Sequence, residues 1–317
     1  MSAILLVTGL ALLLLPGVVA SLGRHLQPSE WRRLNRVAIR VGFVVVTLGP
    51  LLAAAPVVLD AAGVQSVAEV CHHLLGPAAA GGAIVGWAGL TISSALFAVA
   101  AAAHRRSHRL QRAARIERWF GDHTRLSDAT LVVLPTDAVL AYATPGTPAQ
   151  VVVSRGLTNA LDSDEVDAVV RHELAHLRNR HHRDLALAGV VDATLGWIPG
   201  LRASTAALRL SVERSADEEA SDVPGAREAT RRALLKTTAT MLGPVPAFTA
   251  AFTLLARLDA LATPPADPSL QRRIVAFAPL AGLVVAAAVG LLGCSLLTDH
   301  TLLHLVGDCP LGTHHGE

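Results

Sequence analysis

The chain has 317 residues, 52% hydrophobic, 16% charged and 3% aromatic, with a mean hydropathy of +0.46. A soluble domain usually carries about 25% charged residues, so much of the ordinary charge is missing, and the apolar content excludes a disordered chain. Three cysteines exclude a disulfide-dense secreted scaffold, and a net charge of +2 without a basic, aromatic-interleaved stripe excludes nucleic acid as a partner.

The missing charge is concentrated in blocks, and about 20 apolar residues suffice to cross a bilayer. Residues 1–23 are uncharged up to Arg24. A cleaved signal peptide is the other reading of this segment, with Val18-Val19-Ala20 as its cleavage site, but no Lys or Arg precedes the apolar run. Residues 41–59 are uncharged between Arg40 and Asp60, and the uncharged stretch 74–103, broken at Pro77, centres on a span at 83–103. A fourth apolar segment, 274–298, follows Arg272 and Arg273. The expected fold is a mainly α membrane protein with four transmembrane helices, and an α+β domain is inserted between the third and fourth. The expected boundaries are 1–104 for three spans and their loops, 105–272 for the domain, 273–298 for the last span and 299–317 for a short external tail.

Cytoplasmic loops are enriched in Lys and Arg. Arg24, Arg32, Arg33, Arg36 and Arg40 precede the second span, and Arg105, Arg106, Arg109, Arg112, Arg115 and Arg118 follow the third, whereas 60–73 carries only Asp60 and Glu69. The expected topology has the N-terminus outside, the first loop inside, 60–73 outside and the central domain in the cytoplasm. Cys71 and Cys309 then face the exterior, where a bridge between them can form. Cys294 reads as an ordinary small apolar residue near the end of the last span.

Within 105–272, the β-favouring runs 130–134, 139–143 and 151–154 are separated by Pro135-Thr136-Asp137 and Pro145-Gly146-Thr147-Pro148, which predicts a small antiparallel meander. A helix follows, opened by Asp162 and Glu165 in capping-box spacing and running to about Arg180 with Val166, Val169, Leu174 and Leu177 at helical intervals. The apolar segment 185–201, with Asp192, Gly196 and Pro199, reads as membrane-apposed or buried and not as a fifth crossing.

The capped helix carries His172-Glu173-Leu174-Ala175-His176. Residues four apart share one helical face, so both imidazoles can address one metal ion, while Glu173 is placed to take a proton from attacking water. Zinc is the metal that two imidazoles and a carboxylate suit. Glu213, in the segment Glu213-Arg214-Ser215-Ala216-Asp217, is the candidate third ligand, and Asp217 one turn on is suited to orienting a ligand imidazole. Glu218 and Glu219 offer the contrary reading that Glu213 is one more solvated charge. His181 and His182, flanked by arginines, read as surface or membrane-interface residues.

The segment Arg171 to Asp184, with Glu213 to Asp217, the three-plus-one span arrangement and Val151 to Leu157, resembles the membrane zinc peptidases of the β-lactam-sensor and antirepressor type, in a short form without the external sensor domain. The resemblance implies a gluzincin-like peptidase domain with zinc held by His172, His176 and Glu213, and with Glu173 as general base. Only residues 299–317 follow the last span where those sensors carry a penicillin-binding domain, which removes the ground for β-lactam sensing. The related heat-shock and prenyl-protein membrane proteases share both motifs, and Thr263-Pro264-Pro265 with Arg272-Arg273-Ile274 is faintly similar to their pattern.

The reading is an integral membrane zinc endopeptidase that acts on a protein or peptide, possessing a lipid bilayer as its second partner. Strand 151–154 is expected to receive the substrate as an added strand. Tyr142, Arg202 and Arg209 are candidates for stabilising the developing oxyanion. A non-catalytic, metal-stapled signalling protein has no use for Glu173, and a transporter would need buried ionisable residues that these spans lack.

Overall fold

The computed structural model describes residues 2–20, 26–64, 82–116, 122–242 and 248–263, with Ala278 and Gly282. The first three described helices are α1 (Ser2–Val18), α2 (Pro28–Ala61) and α3 (Gly82–Ile116). Among the described residues two stretches are long and apolar enough to cross a membrane, Pro28–Leu52 in α2 and Ala83–Ala114 in α3, and α1 adds the shorter apolar run Leu6–Val18. Arg32, Arg33, Arg36 and Arg40, expected in a loop, lie on α2 itself, because the helix starts at Pro28 and no break separates them from the apolar stretch. Apart from Ala278 and Gly282, the expected span 274–298 lies outside the described residues, as do Cys71, Cys294 and Cys309.

Residues Leu13–Arg40 and Ala98–Phe277 belong to one compact unit, and Met1–Leu12 with Val41–Phe97 belong to another. Within the larger unit the end of α1 is hydrogen-bonded: Ser204 Oγ donates to the Leu14 carbonyl and accepts from the Gly17 amide, each at 3.1 Å.

Four strands follow: β1 (Asp122–Arg125), β2 (Thr130–Leu134), β3 (Ala141–Thr144) and β4 (Gln150–Ser154). Their order is β1-β2-β4-β3, with β2 and β4 parallel and both outer pairs antiparallel. The sheet is therefore mixed and not the expected meander, because β3 passes beyond β4 instead of pairing with β2. β4 is central and apolar on both faces. Val151 and Val153 pack with Leu157, Leu161 and Leu174, while Val152 packs with Val132 and Leu134 on the other side. Such an uninterrupted apolar run is what a strand covered on both faces requires. Gly156 just beyond it has no room for a side chain, since a Cβ there would lie 2.0 Å from the Asp137 carbonyl oxygen.

Five described helices complete the unit after the short α4 (Arg155–Ala160): α5 (Ser163–Arg178), α6 (His181–Leu195), α7 (Leu201–Ala220), α8 (Ala226–Leu242) and α9 (Phe248–Ala262). α5 opens with the expected capping box, the Asp162 amide donating to Glu165 Oε2 at 3.0 Å. Glu165 is wholly buried and receives Lys236 at 2.7 Å and Arg232 at 3.1 Å from α8, which fixes α8 across α5. α5 stops at Asn179, and Arg180 adopts a left-handed conformation, φ 53°, that reverses the chain into α6. Segment 185–201 forms most of α6 and its turn into α7. Asp192 is satisfied there by Thr205 at 2.6 Å and Arg209 at 2.7 Å, while Ala188, Val191 and Leu195 are buried.

Candidate active site

The four-residue spacing on α5 brings His172 Nε2 and His176 Nε2 to 3.1 Å. Glu213 arrives from α7, its Oε2 3.6 Å from His172 Nε2 and its Oε1 3.8 Å from His176 Nε2. A tetrahedral ion 2.0–2.2 Å from each donor spaces its ligand atoms about 3.3 Å apart, so these three donors fit a zinc ion. They are also the one group of three His, Cys, Asp or Glu among the described residues whose ligand atoms cluster tightly enough to hold a metal.

Each donor has a neighbour behind it. His172 Nδ1 lies 3.0 Å from Asp217 Oδ1, one turn along α7 from Glu213. Asp217 is gripped by Arg257 of α9 through two bonds of 2.7 Å, and Arg257 Nη1 also reaches Glu213 Oε2 at 3.1 Å. Burial disfavours the charged form of His172, but its bonds to Asp217 and Glu213 outweigh that and raise it to about 10. His176, also desolvated and repelled by His172, falls to about 4. Burial works against ionisation of Glu213, yet His172 and Arg257 hold its carboxyl far below the ordinary range. Glu173 is different: desolvation dominates and pushes its carboxyl upward, toward the proton affinity a general base needs.

Glu173 lies between two cavities. One, about 210 Å³, is lined by His172, Glu213 and Arg257 with an apolar wall of Leu157, Val169 and Leu234. The other, about 220 Å³, is lined by Tyr142, Ala143, Pro145, His176, Leu177 and Leu185. The backbone amide of Ala143 hydrogen-bonds to Glu173, so β3, the outermost strand among the described residues, meets the reacting centre.

Three sequence expectations change here. Strand 151–154 cannot accept an added strand, because β2 and β4 pair on one side and β3 and β4 on the other; the strand beside Glu173 is the outer one, β3. His181 is not a surface residue: it is fully buried, with Nδ1 3.2 Å from His176 Nδ1. Arg202 and Arg209 are turned to the Gly196 carbonyl and to Asp192, leaving Tyr142 at the second cavity and Arg257 as the guanidinium at the site. Sequence reasoning missed Arg257, although a lone Arg within the apolar run Leu254-Leu255-Ala256-Arg257-Leu258 signals a charge that needs a buried partner.

The sequence is 37% identical over 100 residues to a protease HtpX homolog of Desulforapulum autotrophicum, covering 30% of this chain and 31% of that protein. It is 35% identical over 74 residues to one from Gemmatimonas aurantiaca (23% and 25%) and 42% identical over 65 residues to one from Salinibacter ruber (20% and 22%). The matched stretches thus span less than a third of each relative. These relatives bear the name of a protease on the heat-shock side of the expected resemblance and not of the β-lactam-sensor side. No solved structure matches the chain. The model of peptidase family M48 matches residues 102–277, more than half of the chain, a stretch that contains both motifs and every side chain of the donor cluster. The chain belongs to peptidase family M48, the metallopeptidases.

Proposed function

We propose that this protein is an integral membrane zinc endopeptidase, with His172, His176 and Glu213 as zinc ligands and Glu173 as general base. The observation that carries the reading is the convergence of two imidazole nitrogens and one carboxylate within 3.1–3.8 Å, beside a carboxylate, Glu173, on which desolvation outweighs the pull of His172 and Arg257. Zinc bound there would act as Lewis acid toward the scissile carbonyl and make water a stronger acid. Glu173 takes the proton of the attacking water and delivers it to the leaving amine nitrogen. The outer strand β3 orients an extended substrate backbone, and the apolar wall of Leu157, Val169 and Leu234 accepts an apolar side chain next to the cleaved bond. The apolar stretches of α2 and α3 support a membrane location, with residues 105–272 as a peptidase domain in the cytoplasm.

The physiological task is regulatory proteolysis of a cytoplasmic repressor or of membrane proteins. The names of the matched relatives favour the alternative of a heat-shock or prenyl-protein type of membrane protease over the antirepressor type. Zinc content and peptide cleavage, measured on the purified full chain and on Glu173→Gln, test the reading. Glu173→Gln keeps stoichiometric zinc and loses 10²-fold or more in kcat, on the order of a general base's contribution. Equal zinc loss in that variant would show that base and ligand are misassigned.

A further inference from the structure

Both candidate zinc imidazoles are backed at Nδ1, but by different chemistry. Behind His172 stands a carboxylate oxygen of Asp217, which can only accept. Behind His176 stands another imidazole, His181, Nδ1 to Nδ1 at 3.2 Å with the rings edge-on. One proton serves that contact. If His181 donated it, His176 would carry its own proton on Nε2, the nitrogen that faces His172 and Glu213, and would have no lone pair to offer there. If His176 donates, its Nε2 is bare and directed at the donor cluster.

His181 is built for the accepting role. It is fully buried and edge-on to His176, an arrangement in which a neutral ring can offer its Nδ1 lone pair as the acceptor. Its Nε2 is buried without a hydrogen-bond partner among the described residues, so the proton displaced from Nδ1 meets no competing donor. The backbone pays a conformational cost to place it. Arg180 takes a left-handed φ of 53°, which folds the first residue of α6 back under the last turn of α5. Asn179 ties this reversal to α7 by donating to Glu219 Oε2 at 2.5 Å.

We propose that His181 is a positioning residue which, by accepting the Nδ1 proton of His176, sets the tautomer that turns His176 Nε2 into a metal ligand. This rests on the zinc reading above. It is separable from it, because the wild type's own metal affinity tests the ligands whereas the ratio of variant to wild type tests His181.

The experiment is a competition titration of the full-length protein in detergent with Zn²⁺ against a chromophoric chelator, together with the visible spectrum of the Co²⁺-loaded form. His181→Leu fills the space without an acceptor and is expected to weaken Zn²⁺ binding about 10–100-fold, as loss of an outer hydrogen bond to a ligand His does, and to alter the Co²⁺ bands. His181→Asn places an amide oxygen near the lost Nδ1 and is expected to restore affinity to within a few-fold and the bands to their original positions. A His181→Leu protein that binds Zn²⁺ as the wild type does, with an unchanged Co²⁺ spectrum, overturns the proposal. Should His181→Leu fail to fold, a folded His181→Asn protein with tenfold weaker binding overturns it equally. A wild type that takes up neither ion overturns the zinc reading and this proposal together.

Discussion

Arg257 is the guanidinium on which the two carboxylates of α7 converge, and it ties α9 to Glu213 and Asp217 at once. Replacing it by Gln leaves Asp217 buried without its counter-charge, so Arg257→Gln is expected to cost about 3 kcal/mol in chemical denaturation and to weaken Zn²⁺ binding about 10-fold. Asp217→Asn keeps the shape but gives His172 a weaker acceptor, and its Zn²⁺ affinity should fall about 10–100-fold, while Glu213→Ala should nearly abolish binding and cleavage. Glu218, paired with Arg227 at 2.5 Å, is the control: Glu218→Ala leaves zinc content unchanged. The H-E-x-x-H residues were legible in the sequence because their relation is local, fixed by helical pitch alone. Glu213 was legible as the partner that such a pair needs. Arg257 and His181 were not, since their contacts depend on how α9 meets α7 and on one left-handed residue, neither of which has a local spacing signature.

Helix α5 owes its position to Glu165 as much as to its apolar face. Burial raises that carboxyl and the cations of α8 with the Asp162 amide lower it more, for a net fall below 4.5. A depressed folded value means that the stabilisation is complete above the unfolded value and is lost as pH falls through the folded one. Thermal melts of wild type and Glu165→Gln should therefore differ most above the unfolded carboxyl range and converge as the pH falls below it, and parallel curves would refute this. Arg180 is exposed and left-handed, so Arg180→Gly relieves that conformation and its Tm should equal or exceed that of the wild type. At this scale the capping box, the end of α5 and the positions of β2 and β4 were legible, being set by local composition. The order of the strands was not: turn residues announce a reversal, but they do not say whether β3 lies beside β2 or beyond β4.

Over the whole molecule, the arginine pattern predicts that reporter fusions or cysteine labelling place residues 105–272 inside and 60–73 outside; an external signal at residue 125 would reverse the topology. The apolar blocks of α2 and α3 were legible as blocks, yet their division into loops and spans was less so, since α2 carries its arginines and its apolar run on one continuous helix. Near the start of that helix Arg32 donates to Asp184 of α6 at 2.8 Å, with both side chains almost wholly buried. A fragment beginning at residue 98 would keep the entire donor cluster and the sheet but would strand Asp184 in the interior, at a cost of about 3–5 kcal/mol. The peptidase half is thus not a detachable cargo on an anchor. Fragment 98–277 expressed alone should be insoluble or molten, and supplying residues 1–64 in trans should restore its folding only if Arg32 is retained.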